Sequence, residues 1–132
     1  MSKGHPADTV AQREAELGVP TLYKVCPAQA WHEARRAGTL RGTADDLRDG
    51  YIHLSTAEQL AGTLGKHFSG RRDLVLLAVE EAMLRDRLRW EKARGGALFP
   101  HLYGELAASA VSSVQQIQLG SDGRHVLPEL VP

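Results

Sequence analysis

The sequence predicts an α+β domain built around a small curved sheet, and three observations carry that reading. Strand and helix signals mix over the first half of the chain, while strand signals dominate the second half. The longest unbroken apolar run, Leu74–Val79, is six residues long and reads as a strand buried on both faces. At 132 residues, the chain matches the commonest domain size and buries enough surface for a core without staples. The expectation is a mobile arm over residues 1–20, with room for a short helix at Ala11–Leu17, and a single domain from Thr21 to Pro132.

The elements follow in order from local signals. Leu22–Val25 is a short β-like run, and Pro27 then supplies a favoured first helical residue. Ala30, Trp31, Ala34 and Ala37 recur at three- and four-residue spacing before Gly38, predicting a helix over Ala28–Ala37 with Trp31 as its anchor. A polar stretch from Gly42 leads to the turn dipeptide Asp49–Gly50. In Tyr51–Leu54 the aliphatics Ile52 and Leu54 share one face, Tyr51 and His53 the other. Ser55–Thr56–Ala57–Glu58 has the capping-box pattern, opening a helix whose stripe is Ala57, Leu60, Ala61, Leu64 and Phe68. After Leu74–Val79, residues Glu80–Leu84 suit one helical turn and Arg87–Lys92 alternates again. Gly95–Gly96 breaks the pattern ahead of Phe99–Gly104. Val114–Leu119 and His125–Leu127 flank Gly120–Gly123 as a hairpin.

Composition narrows the function. Sixteen Lys and Arg balance sixteen Asp and Glu, so no basic excess points to a broad nucleic-acid surface or an anionic membrane. No stretch is long and apolar enough to span a bilayer, no secretion signal is visible, and a cytoplasmic location is expected. A single cysteine, Cys26, excludes an internal disulfide and a multi-cysteine zinc site. It sits before a helix start, where the dipole lowers a thiol pKa, although a small buried cysteine is the simpler reading. The six histidines show no paired spacing, so no metal is expected. Walker, dinucleotide and nucleophile-elbow patterns are absent.

Two constellations carry chemistry. In Asp49–Thr56, His53 ends a strand two residues before a helix start, where a side chain meets a ligand while backbone amides favour an anion. In Phe99–Gly104, His101 and Tyr103 point the same way on an extended segment and offer a donor pair to one ligand. Pro100 fixes the backbone before His101, and Gly104 permits a bend after Tyr103. Arg87 and Arg89 beside Glu91 read as a solvated strand face.

Taken together, Tyr23–Lys24–Val25, Trp31, Asp49–Ser55, Leu74–Val79, Arg89–Trp90–Glu91 and Phe99–Gly104 resemble a family of small bacterial proteins catalogued as domain of unknown function 952. The resemblance spans about Thr21 to Leu127. It implies an ADP-ribosyltransferase-like fold: small split, curved sheets, two main helices and a ligand-sized cleft that holds NAD in the enzymes of that superfamily. RNA 2′-phosphotransferases carry a segment similar to Ile52–Ser55, which would turn His53 and Ser55, with Thr56 beside them, toward the nicotinamide ribose. Lys24 or Tyr23 stands where the superfamily places a cofactor-holding Arg or His. Glu91 is a candidate for the late acceptor-steering Glu by order along the chain alone, and Pro100–Tyr103 has no assigned counterpart in the superfamily. In the enzyme reading, His101 and Tyr103 would close the opposite wall of the cleft.

The resulting expectation is a small-molecule site for NAD or a related nucleotide-like ligand, lined by His53 and His101, with transferase chemistry. The alternative is a non-catalytic metabolite- or protein-binding module on a degenerate transferase fold.

Overall fold

The computed structural model describes residues 20–93 and 95–130, so the expectations for residues 1–19 lie outside the described part of the chain. Strand β1 (Thr21–Pro27) leads into helix α1 (Ala28–Ala37). Pro27 stands one place earlier than the sequence suggests, as the N-cap. Gly38 closes α1 in the left-handed region at φ 90°, its N–H donating to the Ala34 carbonyl at 2.7 Å.

Strand β4 (Leu74–Glu80) is the keystone. It pairs antiparallel with β1 on one side and β8 (Val111–Leu119) on the other, and β9 (His125–Val126) extends that sheet through the expected hairpin. The reason its sequence does not alternate is now visible, because each face of β4 packs into a different core. Val75, Leu77 and Val79 join Trp31, Ala34, Ile52, Leu54 and Leu102 on one side. Leu74, Leu76 and Ala78 join Leu60, Leu64 and Ile117 on the other. Strand β1 is read the same way: Leu22 and Cys26 face the first core, Tyr23 and Val25 the second. Lys24 falls on the first face, buried at 3 % exposure where the pattern calls for an apolar side chain.

A second sheet orders β3 (Ile52–His53), β6 (Leu98–Leu102) and β5 (Leu88–Lys92). The two sheets curl together at Tyr23 and Ser55, which exchange backbone hydrogen bonds of 2.8 and 2.9 Å. A short pair, β2 (Thr39–Leu40) with β7 (Leu106–Ala107), completes the strands.

Three expectations need correction. The polar stretch before Asp49 folds as a third helix, α2 (Ala44–Asp49), in addition to the two predicted. Thr43 and Asp46 form its capping box and Gly50 its left-handed end, signals hidden in a segment with few apolar residues. The predicted Ser55–Glu58 capping box lies one residue further on, with Thr56 N–H donating to Gln59 Oε1 at 3.0 Å. There the chain starts with a 3-10 turn (Ala57–Gln59) before α3 (Leu60–His67), and Ala57 and Ala61 stay exposed while Leu60 and Leu64 are buried. The α+β class with curled antiparallel sheets stands.

Candidate functional site

The site forms where β1, α2, β3 and β6 meet, and its base is a buried ion cluster. Lys24 Nζ lies 2.7 Å from Asp46 Oδ2 and donates to the His53 carbonyl at 3.0 Å. Asp46, itself 2 % exposed, accepts from the Thr43 N–H at 2.8 Å, the His53 N–H at 3.0 Å and His53 Nδ1 at 2.6 Å. Burial alone would push this carboxyl up, but the His53 hydrogen bonds and the Lys24 charge outweigh it and hold Asp46 well below the usual carboxylate range. His53 Nε2 reaches Asp49 Oδ2 at 3.0 Å. His53 is thus clamped between two turns of α2.

The second half of the site lies across the β3–β6 register, where His53 faces His101. His101 is 5 % exposed, and its Nδ1 meets Glu91 Oε1 at 2.7 Å. Tyr103 Oη donates to the same Glu91 oxygen at 2.8 Å. These bonds hold the Glu91 carboxyl below its ordinary value and, reciprocally, raise the Tyr103 phenol. Tyr51 packs over the assembly, its ring 4.0 Å from His101 in a near-parallel stack and 4.7 Å from His53. Arg89 covers Tyr103 at 5.3 Å.

Beside these groups opens a cleft of about 340 Å³, lined by Lys24, His53, Ser55, Thr63, Phe99 and His101 among others. Its size lies at the small end of ligand sites. The predicted residues are therefore divided. His53, His101, Lys24 and Ser55 line the cleft, and Glu91 and Tyr103 support His101 from behind. Tyr23 does not reach it: alternation along β1 turns its ring into the core with Leu60 and Leu64. Thr56 is also outside the lining and serves as the cap of the 3-10 turn. Ser55, expected as a cap, instead contacts Thr63 Oγ1 at 2.8 Å.

Sequence reasoning missed Asp46, Tyr51 and His67. Asp46 was legible as the fourth residue of Thr43–Ala44–Asp45–Asp46, a capping-box spacing. Tyr51 shares the His53 face in the alternation, whereas His67 has no signal beyond its place at the end of α3, where it lines the cleft. Among the described residues no group of three or more His, Cys, Asp or Glu is arranged to hold a metal ion.

Cys26 is fully buried, and burial first, with Asp46 adding to it against the opposing pull of Lys24, pushes its thiol up to about 11. The helix-start activation considered from sequence is overridden. Iodoacetamide at pH 7.5 is expected to leave Cys26 unmodified in the native protein and to alkylate it in urea, read by intact mass. Rapid native labelling would contradict this placement.

The family described as "Protein of unknown function (DUF952)" matches residues 25–114. The chain belongs to this family. The matched span takes in Asp46, His53, Glu91, His101 and Tyr103, so of the cleft and cluster residues Lys24 alone lies just outside it. Among solved structures, the X-ray structure of protein CC0527 from Caulobacter crescentus is similar at 44 % identity and TM-score 0.77, covering 80 % of this chain and 93 % of that one. A solution NMR structure of the same protein is similar at 45 % identity and TM-score 0.71, covering 79 % and 90 %. No curated protein matches the chain. Among the described residues of this DUF952 chain, no helix is long and apolar enough to cross a membrane.

Proposed function

We propose that the cleft binds a small nucleotide-like metabolite and that His101, oriented by Glu91, performs acid–base chemistry on it. One observation carries this reading. A buried histidine lining a cleft has its Nδ1 tied to a carboxylate at 2.7 Å, and no other hydrogen-bond partner for the ring is found among the described residues. Because the carboxylate only accepts, Nδ1 is the donor, and in the neutral ring Nε2 is left with a free lone pair. The same carboxylate–imidazole logic orients general bases in unrelated enzymes. Glu91 bonds the ring and Tyr51 stacks on it, while Tyr103 holds Glu91 in turn, which supports a role in holding a defined geometry.

NAD and ADP-ribose are the first ligands to try, because the resemblance to transferases suggests them and the aromatic rings of Phe68 and Phe99 in the cleft suit a flat base. A specific observation favours the non-catalytic module as the second reading. Lys24 and His53, the residues a transferase would turn toward its cofactor, are both committed to Asp46.

Thermal denaturation with NAD, ADP-ribose and AMP separates the two. A ligand at 100 times its Kd adds about 2.7 kcal/mol, readily seen as a rise in Tm. If the acid–base reading holds, His101→Ala lowers turnover of the bound ligand by 10²-fold or more, the ordinary contribution of a positioned acid or base. Binding with no turnover in either protein favours a metabolite-binding module, and the absence of any shift at millimolar ligand counts against the nucleotide-like ligand and leaves the protein-binding module.

A further inference from the structure

The acid–base edge occupies one wall of the cleft, and the wall formed by α3 carries a separate set of features. Gly62, Thr63 and Lys66 lie on the side of that helix that lines the cleft. Thr63 Oγ1 and Ser55 Oγ are 2.8 Å apart, and Ser55 is 3 % exposed. Two hydroxyls hold two protons, and their mutual bond uses one. Neither oxygen has another partner among the described residues, so one O–H of a buried and a half-buried hydroxyl is left without a protein acceptor at the edge of the cleft. Such a donor is completed by water or by ligand.

The charges point to what the ligand brings. Every carboxylate bordering the cleft is engaged: Asp46 with Lys24 and His53, Asp49 with His53 and Arg48, and Asp45 with Arg48. Lys66 has no ion pair among the described residues, so the uncompensated charge on the α3 wall is positive. At Gly62 a Cβ would meet nothing within 4 Å, so the wall is open there.

We propose that the α3 wall is an oxyanion subsite, taking a phosphate group of a small ligand on the spare hydroxyl proton of the Ser55–Thr63 pair and on the Lys66 ammonium. The hydroxyl fixes one phosphate oxygen, while lysine acts as a mobile point charge. The inference rests on the cleft being a ligand site, and it is independent of any proton transfer by His101.

The test is an NMR titration of the isotopically labelled full chain with inorganic phosphate, AMP and sodium acetate. Phosphate and AMP are expected to shift the amides of Gly62, Thr63 and Lys66, with acetate weaker than either. Thr63→Val and Lys66→Met should each weaken AMP by about tenfold, the usual loss of a charge-assisted hydrogen bond. Gly62→Ala should weaken AMP too, whereas Gly65→Ala, one turn on and outside the cleft lining, should not. AMP affinity unchanged in both Thr63→Val and Lys66→Met overturns the subsite, as does the absence of shifts on α3 with all three probes. If AMP binding survives those two variants and is lost in His101→Ala, the subsite fails while the cleft stands as the ligand site.

Discussion

Asp46→Asn is expected to destabilise the protein by about 3–5 kcal/mol, the usual result of leaving a buried charge without its partner. The substitution preserves shape and removes the charge. Lys24 then sits 3 % exposed with no counter-ion within the cluster, and His53 loses the carboxylate at its Nδ1. Against a total stability of 5–15 kcal/mol for ordinary domains, that loss is large. Urea denaturation monitored by tryptophan fluorescence measures it directly. The double variant Lys24→Met with Asp46→Leu should recover much of the loss, because it removes both desolvation penalties together. A loss under about 1 kcal/mol in Asp46→Asn would mean the cluster is not a buried ion pair in solution.

The pH dependence follows from the same group. The folded protein holds the Asp46 carboxyl well below its ordinary value, so the folded state favours the ionised form. The unfolded chain therefore binds this proton more readily. The contribution is complete above the unfolded value of about 3.9 and is lost as pH falls through the folded one. The wild-type protein should lose stability below about pH 4, and Asp46→Asn should show a flatter profile there.

Leu102→Ala is the second large effect, an expected loss of about 2–5 kcal/mol. Leu102 is fully buried in the first core and pairs with both Ile52 and Leu88 across β6. Truncating it leaves a cavity on the core face of β6, across the strand from His101, the preceding residue. The site should loosen along with the core, so the aromatic-region signals of Tyr51 and His101 should broaden or shift even in the fraction that remains folded. A well-folded Leu102→Ala with unchanged Tyr51 and His101 resonances would show that the core and the ring cluster are uncoupled.

Much of the site was legible because strands repeat every two residues. Alternation placed His53 and Tyr51 opposite Ile52 and Leu54, and the Phe99–Gly104 segment put His101 and Tyr103 together. Glu91 entered only through the family resemblance, as an acceptor-steering residue, and its bond to His101 was not legible because alternation alone reads Arg87–Glu91 as a solvated strand face. What alternation could not say was how β1 shares its two faces. Tyr23 and Lys24 were equivalent candidates in sequence, and only the packing sent one to the apolar core and the other to Asp46. Asp46 itself escaped notice because α2 has few apolar residues, and a periodic signal cannot arise without them.

The chain alone determined the α+β class, the keystone strand Leu74–Val79, the helix over Ala28–Ala37 and its Gly38 stop, and the closing hairpin, since these depend on contiguous apolar patterns and local turn chemistry. Tertiary structure decided the rest. It set which carboxylates clamp His53, whether Cys26 is available for chemistry, and that Ser55 meets Thr63 in place of capping a helix. Each of these turns on a partner distant in sequence or on burial, and the energy of a charge or hydroxyl depends on both far more than on its neighbours along the chain.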